Sequence, residues 1–243
     1  MFLNTGNKKI RFFFISINVV LLTIIILLTP LLCYVFNIDY YGTLFEKNGV
    51  FDILDKSDVL DTSINITDFF KYRFDLKTLY QDTIVRPAFY SENGGLSFTA
   101  NEVSHLYDVR VLLTRIFITY YAAILLFVII TMLLIKRNIK SILYNTGVMF
   151  IASSILSVVL IFILYPAGKN FPLLFDNFHG MFFPQGNYSF VSGSLLITLF
   201  PEGFFYDFFV RIITCSVIAA FILLASGLFF IFMLKLSGKH RRK

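Results

Sequence analysis

Two histidines carry the chemistry that this chain could do. His105 lies in the run Glu102-Val-Ser-His105-Leu-Tyr-Asp108-Val109, and His179 in Phe178-His179-Gly-Met-Phe-Phe183. An imidazole both takes and gives a proton near neutral pH, so a pair of them points to acid–base catalysis. On a helix, Glu102, His105 and Asp108 follow at i, i+3 and i+6 along one side, which lets the Asp108 carboxylate orient the imidazole. Glu102, and Glu202 farther along the chain, are candidates for the same supporting role. The aromatic neighbours of His179 predict partial burial. The third histidine, His240, sits in a basic tail and reads as a solvated charge.

Other chemistries have weaker signals. There is no H-E-x-x-H pair, and no second histidine within one helical turn of either candidate. His105, Asp108 and His179 would supply three metal ligands if gathered in space, but nothing in their spacing demands a metal. No G-x-S-x-G elbow is present, and Ser192-Gly193-Ser194 lies in an expected loop without a local partner. The pattern therefore calls for no metal and no cofactor.

The elements that position these residues are set by hydrophobicity. The chain has 243 residues, 57% hydrophobic and 15% charged, against roughly a quarter charged in soluble domains. Four runs reach the roughly 20 apolar residues that cross a bilayer: 12–36, 111–135, 142–165 and 212–236. The first is expected to stay as an anchor, because its apolar run is longer than that of a cleavable signal peptide and no small-x-small site follows. Cys33 and Cys215 fall in hydrophobic spans and are expected to be inert core residues. Of the 21 basic residues, 11 lie in three short segments without acidic residues: before the first span, between the second and third, and at the end of the chain. By the positive-inside rule both termini are then cytoplasmic, and the net charge of +6 reports topology rather than nucleic-acid binding.

Two segments remain for the outer side, 37–110 and 166–210, and they are expected to fold together as an extracytoplasmic cap. The first has a helical stripe over Asp68–Tyr80, at Phe69, Tyr72, Leu76 and Leu79, and a turn at Asn93-Gly94-Gly95. Thr99 and Glu102 match a capping box, so a helix should start there and run into the second span with His105 at headgroup depth. The second segment holds 13 Phe and Tyr in the 40 residues 171–210, against 18% aromatic overall. Phenylalanine has no polar handle, so these residues fit the wall of an apolar pocket. Pro166, Pro172, Pro184 and Pro201 are expected to break any long helix there. The fold class is thus an all-α membrane protein of four transmembrane helices with an outer cap.

The run Glu102-x-x-His105-x-x-Asp108-Val109, then Phe178-His179-x-x-Phe182-Phe183, then Phe200-Pro201-Glu202-x-Phe204-Phe205, resembles the bacterial lipoprotein intramolecular transacylases over nearly the whole chain. The resemblance implies an active site where a four-helix bundle meets its cap, in the bacterial cytoplasmic membrane. It implies transfer of the sn-2 acyl chain of a diacylglyceryl lipoprotein to the α-amino group of its N-terminal cysteine, giving an N-acylated lyso-form. The family's two histidines map by motif onto His105 and His179. Phe178, Phe182, Phe183, Tyr188, Pro201, Phe204 and Phe205 would line the substrate pocket. Tyr188 stands where the family often has Trp, and Leu106 and Arg110 stand for Met and Lys.

The residues fit that chemistry. Aminolysis of an ester needs a base for the amine proton and an acid for the leaving oxygen, and no covalent enzyme intermediate. The expected partners are a diacylated lipoprotein and the lipid bilayer, with no nucleic acid. A non-enzymatic accessory protein or small transporter, or an acyltransferase working between two molecules, is the alternative. Transport usually leaves ionisable groups at mid-membrane depth, whereas these spans hold only Arg115 and Lys235, each near an end.

Overall fold

The computed structural model describes residues 8–73, 96–134 and 139–239. Among these residues every element is a helix: α1 (Lys8–Tyr34), α2 (Ile38–Lys47), a short 3-10 turn (Val50–Asp52), α3 (Lys56–Phe70), α4 (Ala100–Leu134), α5 (Ile139–Gly168), α6 (Phe171–Phe182), α7 (Leu195–Leu199) and α8 (Glu202–Lys239). Helices are the natural outcome for long apolar runs, because a chain in lipid must satisfy every backbone N–H and C=O internally. Four are long and apolar enough to cross a membrane: Lys8–Tyr34, Ala100–Leu134, Ile139–Ile163 and Glu202–Leu236.

Length separates the membrane-crossing part of α4 from the part that bears the candidate site. Its 35 residues run roughly 52 Å at 1.5 Å per residue, well beyond a hydrocarbon core of about 30 Å. The long apolar run begins at Val111, with Arg115 as its one charge, so the first turns, with Glu102, His105, Asp108 and Arg110, precede it.

The chain divides into two compact units. The first holds 1–31, 117–166 and 212–243. Its helices are joined by polar contacts as well as apolar packing. Asn18 Nδ2 donates to Thr131 Oγ1 at 2.9 Å, Ser153 Oγ donates to the carbonyl of Val19 at 3.2 Å, and the hydroxyls of Thr29 and Tyr120 pair at 3.1 Å. Near one end Arg11 donates to Ser141 Oγ at 3.0 Å and also to Asn145. α5 and α8 cross at Gly147 and Gly227, where a Cβ on Gly227 would lie 2.9 Å from the Gly147 carbonyl oxygen. Small residues allow this close backbone approach.

The second unit holds 32–116 and 167–211. Its core gathers Tyr41, Leu44, Phe45, Val59, Ile66, Phe69, Phe98, Leu106, Leu199 and Phe204. Side chains cap the starts of α2 and α3. Asn37 caps α2 by accepting from the Tyr40 amide at 2.9 Å. Asp55 caps α3 through the Ser57 amide at 2.8 Å. Lys47 Nζ donates to Asp207 at 2.6 Å, fastening the end of α2 to α8.

Three expectations change. The helix expected from Asp68 is instead the last turn of α3, which starts at Lys56 and ends at Phe70. Tyr72 has φ +61°, a left-handed conformation that stops the helix, so Phe69 enters the core while Tyr72 stays exposed. The rest of that stripe and the Asn93-Gly94-Gly95 turn lie outside the described residues, as does His240. Pro166 does not break α5, which continues through it to Gly168. Membrane helices tolerate the lost N–H that would end a helix in water. Cys33 lies on the exposed surface of α1 rather than in a core, and Cys215 is partly buried.

Candidate active site

α4 begins with the expected capping box. Glu102 Oε2 accepts from the Thr99 amide at 2.7 Å and the Thr99 hydroxyl at 2.9 Å, while Thr99 Oγ1 accepts from the Glu102 amide at 3.4 Å. The other carboxylate oxygen, Oε1, accepts from the Leu196 amide at 2.7 Å. Glu102 is 1% exposed, and both its oxygens are occupied, Oε2 in the cap of α4 and Oε1 in joining that cap to α7. Its role is therefore to hold the frame one turn before His105 rather than to touch the imidazole.

α6 supplies the second histidine. Asn170 caps it by accepting from the Leu173 amide at 3.4 Å, and Pro172 sits in the first turn, where its missing N–H costs nothing. Phe171, Phe175 and His179 then follow at i, i+4 and i+8 on the inward face. His179 Nδ1 donates to the carbonyl oxygen of Phe175 at 2.8 Å. A carbonyl only accepts, so this bond places a proton on Nδ1 and leaves Nε2 as the working nitrogen.

The two imidazoles meet. Their ring centroids are 5.8 Å apart with planes inclined by 26°. Phe183 packs edge-on to His105 at 4.7 Å, and Phe190 does so at 5.6 Å. Phe175, Tyr188 and Phe183 surround His179 at 4.2, 5.1 and 5.6 Å. His105 is 6% exposed and Phe183 2%. Burial is the main reason that the His105 pKa falls from 6.5 to about 4; a positive charge on His179 lowers it further, while Asp108 and Asn187 pull it back up. His105 is thus neutral at physiological pH, and the pair resists a second proton.

Asp108 lies one turn on from His105, but its carboxylate hydrogen-bonds to the loop after α6. Its Oδ2 accepts from Gln185 Nε2 at 2.7 Å and from Asn187 Nδ2 at 2.5 Å. It acts on His105 through space, not by a direct hydrogen bond. Glu202 is exposed at the first turn of α8. Of the expected pocket residues, Phe183 and Tyr188 touch the histidines. Phe178 packs edge-on to His179 at 5.5 Å and Phe182 packs on Phe178 at 4.8 Å. Phe205 reaches the site through Phe175, at 5.2 Å. Phe204 belongs to the core instead, against Tyr41 and Phe45 at 5.2 and 5.4 Å, and Pro201 immediately precedes α8.

Asn187, Gln185, Phe175 and Phe190 are site residues that sequence reasoning did not single out. Phe175 had a usable signal, one helical turn before His179. The others sit in an irregular loop with no periodicity to read. No group of three or more metal-ligating side chains occurs among the described residues.

Comparisons with known proteins agree with this architecture. The family described as lipoprotein intramolecular transacylase Lit matches residues 10–205. The in meso structure of the membrane integral lipoprotein intramolecular transacylase Lit from Bacillus cereus is similar in fold, with a TM-score of 0.63 and 18% identity, covering 97% of this chain and 99% of that one. A variant of that enzyme with a histidine-to-arginine mutation aligns at a TM-score of 0.70 and 18% identity, over 94% of this chain and 95% of that one. No curated protein matches by sequence. With the family match spanning residues 10–205, the chain belongs to the lipoprotein intramolecular transacylases, a family of membrane acyltransferases.

Proposed function

We propose that this chain moves the sn-2 acyl chain of a diacylglyceryl lipoprotein onto the α-amino group of the same molecule's N-terminal cysteine, with His105 as general base and His179 as general acid. The observation that carries this reading is the pair of facing imidazoles held in different surroundings. The more buried one is held neutral and can accept a proton. The other has Nδ1 committed to Phe175, so its Nε2–H, when protonated, is available to donate. Environments that separate two titratable groups in this way divide the acid and base roles between them.

In the reaction the cysteine nitrogen attacks the sn-2 ester carbonyl. A C–N bond forms and the nitrogen's proton passes to His105. The carbonyl carbon–oxygen bond then breaks as His179 protonates the glycerol oxygen. Proton return from His105 to His179 restores the pair, and the product is an amide plus a free sn-2 hydroxyl. Amine and ester belong to one molecule, so a pocket that folds them together supplies much of the rate by proximity. The rings of Phe175, Phe178, Phe182, Phe183 and Phe190 suit the acyl chains of such a substrate.

The proposed placement is the outer side of the bacterial cytoplasmic membrane, with both termini inside and 37–110 and 166–210 forming the cap. Chain connectivity supports it. α6 begins three residues after α5 ends, and His105 precedes the apolar run of α4 by about 9 Å of helix, so both histidines belong near one membrane boundary. The test is a lipopeptide with an isotope-labelled sn-2 acyl chain, mixed with an unlabelled one of different peptide sequence. Label recovered only on the N-terminus of its own peptide supports the reading. Label crossing to the other peptide would show transfer between molecules, and an unchanged substrate would favour an accessory protein.

A further inference from the structure

His105 Nδ1 and Asn187 Oδ1 are both buried and have no hydrogen-bond partner among the described residues. The other end of the Asn187 amide is fixed. Its Nδ2 donates to Asp108 Oδ2 at 2.5 Å and to Ser104 Oγ at 3.3 Å. An ionised carboxylate only accepts, so it demands the NH₂ end of the amide and leaves Oδ1 as the end that can face the imidazole. The amide lies beside His105 and favours its protonated form, with Nδ1 and Oδ1 just outside hydrogen-bond geometry in this structure.

We infer that Asn187 is a positioning residue that links Asp108 to His105: its Oδ1 accepts the Nδ1–H of His105, which keeps the Nε2 lone pair toward the substrate amine and steadies the imidazolium that forms on proton transfer. The link tightens as His105 gains its proton, since a charged donor makes a shorter and stronger bond than a neutral one. Asp108 thereby supports His105 at one remove, by setting the orientation of an amide. The loop between α6 and α7 carries Asn187, so it becomes part of the proton-transfer apparatus as well as a wall. This inference rests on the reading of His105 as the base. The groups that bear on His105 are Asp108 on its own helix, His179 on α6 and Asn187 in the loop; Tyr188 of the same loop packs on His179.

The chain has three histidines, few enough for imidazole nitrogen and carbon NMR on the intact protein in lipid nanodiscs. His→Gln variants assign each signal. Wild type should show His105 as the Nδ1–H tautomer, with a titration midpoint far below the usual value. Asn187→Ala should abolish that tautomer preference, lower the midpoint further and reduce kcat by about tenfold to a hundredfold, the range for a hydrogen bond to a charged group. Asp108→Asn should weaken the tautomer preference in the same direction, because a neutral amide no longer dictates the orientation of Asn187. His179 signals should keep their Nδ1–H tautomer in both variants. A His105 tautomer and titration unchanged in a folded Asn187→Ala protein would overturn the proposal, whatever the activity. If wild type formed no N-acylated product, the functional reading would fail instead, while the tautomer result would still stand or fall alone.

Discussion

His105 and His179 reach each other from α4 and α6, with ring centroids 5.8 Å apart, although 73 residues separate them in sequence. Each imidazole is constrained differently. His179 is tied to a backbone carbonyl of its own helix, and His105 is enclosed by Phe183 and Phe190 with no bond at Nδ1. The asymmetry divides the proposed acid and base roles.

His105 makes stability depend on pH in a stated direction. Its pKa is lowered on folding from 6.5 to about 4, so between these values the unfolded chain binds more protons than the folded one. Its contribution is fully present above about pH 6.5 and is lost as pH falls toward 4. Thermal unfolding in nanodiscs should show a falling midpoint over that window, and His105→Gln should flatten the curve. An equal acid sensitivity in His105→Gln would assign the effect to other groups.

Burial, the largest cause of the low His105 pKa, can be tested through Phe183. Phe183→Leu keeps an apolar side chain but opens one face of the imidazole to water. The His105 midpoint should rise toward 6.5 in an imidazole NMR titration, and the protein should remain folded, with a stability loss of about 1–2 kcal/mol for a core change of this kind. A midpoint that stays near 4 would show that Phe183 is not what keeps water away.

Glu102 should matter for stability before chemistry. Glu102→Ala leaves the buried Leu196 amide without an acceptor and removes the cap bond to the Thr99 amide, at a cost of about 1–3 kcal/mol. The expected result is a lower unfolding midpoint, with activity per folded molecule largely kept at low temperature. A stable variant with activity abolished would place Glu102 in the reaction itself.

The α5–α8 crossing sets a sharp steric limit. A Cβ on Gly227 meets the Gly147 carbonyl oxygen at 2.9 Å and the Ile151 amide nitrogen at 3.1 Å, and backbone cannot step aside as a side chain can. Gly227→Ala should destabilise the bundle by about 1–3 kcal/mol, measured by unfolding in mixed micelles. Gly186→Ala is an unsuitable control because its φ is +78°; Gly42→Ala serves better, with its nearest contact an ordinary 3.8 Å from Leu60. Equal stability of the two variants would contradict the tight crossing.

Much of this architecture was legible because hydrophobicity and caps are local signals. Four apolar runs gave four long helices, and Thr99 with Glu102 marked the start of α4 within one residue. The two histidines stood out because polar residues are rare beside apolar runs. Three features were not legible for physical reasons. The end of α3 depends on Tyr72 adopting a left-handed backbone, which no pattern of apolar residues reports. The role of Glu102 depends on an amide at Leu196, 94 residues away. Asn187 meets Asp108 through a loop that turns at Gly186, with φ +78°, and such a loop has no period that would predict its partner. Sequence spacing suggested direct contact between Asp108 and His105, whereas the Asp108 carboxylate hydrogen-bonds to Gln185 and Asn187 of the loop after α6.

The most direct test of the proposed chemistry is product analysis with single histidine variants. Purified wild type, His105→Ala and His179→Ala, each verified as folded, would be incubated with a diacylglyceryl-cysteine lipopeptide and the products fragmented by tandem mass spectrometry. Wild type should give a product of unchanged mass with the acyl group on the N-terminal fragment, and each variant should lose at least about 100-fold in rate, the lower range for general acid–base groups. A folded His105→Ala or His179→Ala protein that forms the N-acylated product at the wild-type rate would contradict the two-histidine account.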